Sequence, residues 1–368
     1  MSKFIEQLLL PTNVPTGYAR RIIPHISYDG VDISEDISKH ITSISYTDVL
    51  SGYADDLQIS LEDTAGLWHA EWFPNMGATL EAVLESRYWD SPSDMPRNVQ
   101  LGTFEIDEIE CKSTPSEVTI KSVSVPNNTT LRGVSHNRAW EKVSIYKIVE
   151  DIAKGAKLDV VYNAPENPNV DRVEQVEQSD LSFLKKLCDD HGLSLKVTDK
   201  QIVVFDVVSL EQADAVFVFC KEIPVSVENG SVDNRPHYKP TSWTFTSAIR
   251  EVYKSCRVEY QEGQKKEKIQ AVFQDPNKVE GKVLVVKQQV ASAAEAEKLA
   301  KKELRKKNCE EIQAKISLPG RLEYAAWLTC EIKGYGVFDG KYIITQAAHK
   351  IGGGYSVDLE LRKCLSGF

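Results

Sequence analysis

The sequence predicts a mainly β protein with a small α+β insert, and three observations lead there. Short runs at both ends of the chain alternate apolar and polar residues at period two, as in sheets with one wet face. Turns rich in Pro, Asp, Ser and Gly separate those runs at the spacing of a sandwich or closed barrel. Between them, the apolar period lengthens to that of helices. The 368 residues thus divide into a first β domain (1–126), an α+β module (127–209) and a second β domain (210–368).

In the first domain, Ile41, Ile44 and Tyr46 lead into a turn at Ser51–Gly52, and Leu57, Ile59 and Leu61 alternate with Gln58, Ser60 and Glu62. Further strand-like runs follow at Leu80–Arg87, Val99–Ile109 and Glu117–Val125. Trp68, Trp72, Phe73 and Pro74 interrupt this series. Their bulk suits either a plug at a barrel end or a contact between subunits, and they form the candidate interface.

In the module, Ile145, Ile148, Val149, Ile152 and Ala153 predict a helix capped by Ser144 and stopping near Gly155. Leu158–Tyr162 reads as a strand, and 163–170 as a loop rich in Pro and Asn. A second helix carries Leu181, Leu184, Leu187 and Cys188, with Ser179 or Asp180 at its cap and Gly192 at its end. Strands at Leu193–Val197 and Ile202–Val207 complete the unit.

Strand signals resume at Val216–Phe219, Val225–Glu228, Ser242–Thr246, Lys254–Tyr260 and Val283–Val286, with an exposed hairpin region near 261–281. A helix over 292–308 shows Ala296, Leu299, Ala300 and Leu304 on one face. Glu297–Lys301 and Glu303–Lys307 lie on it as i,i+4 pairs. Four more strands follow: Glu311–Ser317, Leu328–Lys333, Lys341–Ala348 and Tyr355–Arg362. The economical expectation is a second antiparallel barrel with one packed helix.

Composition narrows the function classes. The apolar fraction of 42% and charged fraction of 27% are those of ordinary globular protein. A formal charge of −10 argues against a dedicated nucleic-acid surface. The lysine-rich run from Lys298 to Lys307 is interleaved with glutamates and reads as a solvated helix face. Seven scattered cysteines show no CxxC spacing and fit a reducing compartment. No stretch approaches the ~18 uncharged apolar residues of a membrane span.

Motifs of catalysis are missing. Gly352–Gly354 precedes a strand, so it reads as a hairpin turn and not a phosphate loop, which needs a helix directly after it. The pairs Asp55–Asp56 and Asp189–Asp190 are adjacent, unlike the opposed carboxylates of a glycosidase. Cys188 and His191 suggest a metal site only weakly: one lies on an apolar helix face, the other in a last turn, where histidine answers the helix dipole. Neither a G-x-S-x-G elbow nor an H-E-x-x-H pair occurs. The expectation is a non-enzyme with no catalytic, cofactor-binding or metal residues and no cofactor.

Several stretches together resemble the phage late control protein D family, the baseplate central hub proteins of contractile tails. They are Asp48–Leu84, Glu177–Val197, Ala294–Asn308, Ser317–Gly334 and Gly340–Lys363. The sequence looks closest to the branch found in phages, prophage-like particles and tail-like bacteriocins of Gram-positive bacteria. The resemblance implies two tail-tube-like antiparallel barrels, the second discontinuous and flanked by the helix, plus the α+β module. It implies a homotrimeric ring of six barrels joining the six-fold tail tube to the three-fold spike. Baseplate wedge proteins and the tape measure protein would be further partners, and DNA would pass only in transit. The location implied is the baseplate centre of a virion or tail-like particle assembled in the host cytoplasm. Some related hubs carry a fused spike or lysozyme-like domain. This chain stops after its second β domain, so those parts are expected on separate proteins. Two alternatives stand beside the hub: a peptidoglycan-binding role for a LysM-like module, and a cell-wall hydrolase.

Overall fold

A computed structural model describes residues 19–368 apart from 53, 125–130, 132, 199, 224–232, 262–267 and 291. The chain opens with β1 (Arg21–Tyr28), β2 (Val31–Asp32), α1 (Ser34–Ser38), β3 (Ile41–Val49), β4 (Asp56–Glu62), β5 (Thr79–Arg87), β6 (Arg97–Lys112) and β7 (Glu117–Val123). Alternation dictates which face turns inward: Leu57, Ile59 and Leu61 of β4 are buried with Ile26, Leu80, Phe104 and Val118 in one core.

The middle of the chain comprises β8 (Ser135–Ser144), α2 (Ile145–Ala156), β9 (Asp159–Asn163), β10 (Asn169–Ser179), α3 (Asp180–Asp190), β11 (Ser194–Val197) and β12 (Gln201–Phe205). Ser144 and Ser179 cap the two helices as expected, their side chains accepting the N–H of Lys147 and Ser182. The residue that ends α2 in the left-handed region is Lys157 (φ 59°), not the expected glycine. Both helices bury their apolar faces, Ile148, Ile152, Leu184 and Leu187 among them, over the β11–β12–β9 sheet.

The antiparallel β8–β10 ribbon is an element the sequence reading does not assign. Its residues are largely polar and its ladder is made by backbone, so period-two apolar contrast is weak there.

After α4 (Val207–Gln212) come β13 (Phe217–Cys220), β14 (His237–Tyr238), β15 (Ser242–Ser247), β16 (Tyr253–Gln261), β17 (Lys268–Gln274), β18 (Lys282–Val286), α5 (Ala293–Asn308), β19 (Ile312–Pro319), β20 (Thr329–Lys333), β21 (Gly340–Ile351) and β22 (Tyr355–Lys363). Helix α5 starts at Ser292, whose Oγ accepts the Glu295 N–H, and ends in Arg305, Lys306 and Lys307, which oppose the dipole. Its apolar face covers the β17–β16–β18 sheet through Ala296, Leu299 and Leu304. The expected strand Val225–Glu228 and the expected tip Gly263–Lys268, bar its last residue, lie outside the described residues.

The architecture corrects the expectation of two antiparallel barrels. Both β regions merge into one 14-stranded sheet. They join at β21: its first half pairs with β20, its second half with β3, and β22 runs along its opposite edge. Among the described residues no strand pair closes either half into a ring.

On the N-terminal side, the outer edge of β1 is already occupied. The Ile26 N–H is donated to Ser34 Oγ (2.9 Å), and its carbonyl accepts the Ile33 N–H (3.0 Å). Pro24, two residues earlier on that edge, has no N–H to offer. On the C-terminal side, among the described residues β15 pairs with β19 alone, and its Trp243 and Phe245 meet Tyr335 and Phe338, which follow β20. Nor is the sheet purely antiparallel, because β13 runs parallel to both β20 and β14.

Two buried ionic joints seat the other parts on this sheet. At the first, Lys196 Nζ of β11 lies 2.6 Å from Asp48 and 3.0 Å from Asp55. It also donates to the Val49 carbonyl, while Asp48 accepts the Ala326 N–H (2.8 Å). At the second, Glu211 of α4 meets Arg305 of α5 (2.7 Å) and Arg362 of β22 (2.5 Å). These last contacts are ionic without hydrogen-bond alignment at the carboxylate.

Candidate assembly interface

The connection from β4 to β5 carries the four residues singled out by the sequence, and the fold divides them. Asp63 organises the first half. Its Oδ1 accepts the Trp68 N–H (3.0 Å), its N–H is donated to the Ser116 carbonyl, and His69 Nδ1 contacts Oδ2. Burial pushes the Asp63 carboxyl up, but the Trp68 N–H and His69 outweigh it and hold the group below its ordinary value. A charged carboxylate therefore anchors the loop. Gly66 supplies the left-handed turn at φ +73°.

Trp68 and Pro74 are buried, Trp68 within the N-terminal core. Trp72 and Phe73, in contrast, are 46% and 48% exposed, and Met76 beside them is 56% exposed. Trp72 stands edge-on to Trp68 (5.4 Å) and to His40 (5.9 Å). The Trp72 N–H is donated to the Leu67 carbonyl, and the Asn75 N–H to Tyr28 Oη. The result is a fixed apolar ridge: a buried tryptophan holds an exposed one in place. Ridges of this kind suit protein contact, since their side chains are ordered before a partner arrives.

A second exposed aromatic group lies at β15. Trp243 is half exposed and meets Tyr335 (5.3 Å), while Phe245 stacks on Phe338 (4.9 Å). Val337, between those two partners, is 83% exposed. The sequence reading places a strand here without a role. The signal it could have used is Trp243 and Phe245 alternating with Ser242, Thr244 and Thr246, two aromatics on one face of a hydroxyl-rich strand.

The other sequence candidates fall into structural settings. Cys188 is fully buried in the module core, and burial pushes its thiol up to about 12, so it remains a protonated packing group. Asp55 belongs to the Lys196 joint. Gly352 and Gly354 turn β21 into β22, joined by a backbone hydrogen bond of 2.9 Å. Among the described residues no group of three or more His, Cys, Asp or Glu could hold a metal ion. No helix among them is long and apolar enough to cross a membrane.

No protein-family model matches the chain. The probable baseplate hub protein of Escherichia phage 186 is 30% identical over 173 residues, 47% of this chain and 42% of that protein. The corresponding protein of Escherichia phage P2 is 26% identical over 211 residues, 57% of this chain and 50% of that one. The chain thus spans about half the length of these curated relatives or less. Among solved structures, the 43 kDa tail protein of prophage MuSo2 from Shewanella oneidensis shares the fold. The match has a TM-score of 0.68 at 12% identity and covers 93% of this chain and 98% of that one.

Proposed function

We propose that this chain, a homologue of phage baseplate hub proteins, is a structural hub subunit of a contractile tail or tail-like injection particle, and not an enzyme. The observation that carries the reading is the match to two phage hub proteins, together with a tail-protein fold over nearly the whole chain. In this role the protein sits at the baseplate centre as a homotrimeric ring, with the tail tube above and a trimeric spike below. Wedge proteins and the tape measure protein are its further neighbours. The particle is assembled in the host cytoplasm. The net negative charge suits a lumen that passes DNA without holding it.

The division into a first β domain, module and second β domain is retained as a proposal about folding units. Separate cores in the N-terminal strands, the module and the C-terminal strands support it. The glycan-binding and hydrolase alternatives gain no specific observation. In the module, Trp140 stacks on Phe183 at 5.2 Å and not on an open groove.

The test is the native mass of the full chain, alone and with tube and spike proteins. A closed trimer appears near 124 kDa, three times 41.3 kDa. Failure to trimerise in both settings would overturn the ring.

A further inference from the structure

We propose that Lys196 and Asp48 join covalently: the Lys196 amine displaces a carboxyl oxygen of Asp48 to form an amide, with Asp55 moving the protons and one water leaving. This chemistry belongs to the joint between module and sheet and is independent of the hub reading.

The three groups already stand in reacting order. Lys196 Nζ lies 2.6 Å from Asp48 Oδ1 and 3.0 Å from Asp55 Oδ1. The other Asp48 oxygen, Oδ2, accepts the Ala326 N–H at 2.8 Å. A backbone donor is therefore in place where negative charge gathers when an amine adds to Asp48 Cγ. Asp48 and Asp55 are buried, and the lysine side chain is 18% exposed. Ala326, and Leu50 two residues after Asp48, belong to an apolar cluster with Phe205, Val207 and Ile343. Groups held in this way reach effective concentrations on the order of 10⁵–10⁸ M, which favours the amide over its hydrolysis where water is scarce. Lys121, Lys147 and Lys333 also meet two carboxylates each, but they stand far more open to water.

The step balances without an oxidant or a co-reactant. Asp55 takes one proton from the Lys196 ammonium and passes it to Asp48 Oδ1. The amine nitrogen bonds to Asp48 Cγ, and a second proton follows the same route from nitrogen to Oδ1. The Cγ–Oδ1 bond breaks, and Oδ1 leaves as water with both protons. Burial raises the Asp55 carboxyl to about 6 against the pull of Lys196, which suits a group that both accepts and gives a proton near neutrality.

The product strands no buried polar atom. Its remaining N–H faces the Val49 carbonyl, which Nζ already meets at 2.9 Å, and its carbonyl oxygen keeps the Ala326 N–H. Burial lowers the Lys196 ammonium, but Asp48 and Asp55 outweigh it and hold the ammonium above its ordinary value. The neutral amine is therefore scarce, so freshly folded chains carry the ion pair and the amide accumulates with age. It ties β11 of the module to β3 of the sheet across 148 positions, after which the module cannot leave the sheet.

Denaturing mass spectrometry of the full chain, sampled over weeks at neutral pH, tests this. The folded wild type is expected to become lighter by one water. Digestion should then yield a branched peptide joining the segment of Lys196 to that of Asp48. Lys196→Arg keeps the charge but has no amine to acylate, so it should retain its full mass, as should wild type held in denaturant. Asp55→Asn, its folding checked by thermal unfolding, should close at least about 100-fold more slowly. Succinimide formation at Asp29–Gly30 or Asp339–Gly340 also expels one water, but it leaves linear peptides and persists in Lys196→Arg. A folded wild type that keeps its full mass, or a water loss that maps to those two sites alone, overturns the amide. Closure at an unchanged rate in Asp55→Asn overturns the proton relay. Neither result bears on the hub reading.

Discussion

The two buried ionic joints solve similar packing problems with opposite charge arithmetic. At the N-terminal joint two carboxylates, Asp48 and Asp55, share one lysine, Lys196. At the C-terminal joint two guanidiniums, Arg305 and Arg362, share one carboxylate, Glu211. Both leave one charge in excess inside the protein. Only the first can shed it, because a carboxylate can take up a proton at moderate acidity and an arginine cannot release one. Burial, reinforced by Asp48 and opposed by Lys196, raises the Asp55 carboxyl to about 6. Asp55 thereby places an acid response where the module meets the sheet, while the guanidiniums of the α4–α5–β22 joint keep their charge.

Removing the shared partner should give the largest effects and separate the joints. Glu211→Ala leaves two buried guanidiniums unpaired and should cost about 3–5 kcal/mol in denaturant unfolding. The stranded guanidiniums keep their charge at pH 5 as at pH 7. Lys196→Met should cost a comparable amount at pH 7, but the loss should shrink at pH 5 as the stranded Asp55 protonates. Equal pH response in the two variants would break the comparison.

A smaller effect is expected from Asp55→Asn. With its folded pKa above the ordinary carboxylate value, Asp55 binds a proton in the native state before the unfolded state does. Stability from this group therefore falls as pH rises from about 4 to about 6, by on the order of 2–3 kcal/mol. The asparagine variant should flatten that window and be no less stable than the wild type at pH 7. Unfolding curves at half-unit pH steps would show it, and an unchanged slope would refute the assignment.

The smallest expected change lies at the end of α2. Lys157 adopts a left-handed conformation that costs an L-residue about 1 kcal/mol, which glycine avoids at some cost in unfolded-state entropy. Lys157→Gly should raise stability by about 0.5 kcal/mol, seen as a shift of the denaturation midpoint with unchanged slope.

What was legible in the sequence follows the range of the forces involved. The caps at Ser144 and Ser179, the apolar faces of α2, α3 and α5, and the alternation of β4 and β22 are written within a few residues of each other. Local hydrogen bonds and one-sided burial create them, so period and punctuation reveal them. The bulky loop at Trp68–Pro74 was equally visible as composition. Which of its tryptophans would be core and which surface was not, because Asp63, Ser116 and Tyr28 from three separate segments decide it.

By itself, then, the sequence determined a mainly β chain with two capped helices inside a module, a third helix near the C-terminus, and a family likeness without catalytic motifs. Tertiary structure alone decided that the two β regions share one open sheet through β21, that β8 and β10 form a ribbon, and that Lys196 and Glu211 become joints. Strand partners and buried ion pairs are chosen between residues up to hundreds of positions apart, as the strand partners Thr47 and Ala348 are. No local pattern encodes such a choice, since a ladder of backbone groups accepts any neighbour whose edge is free.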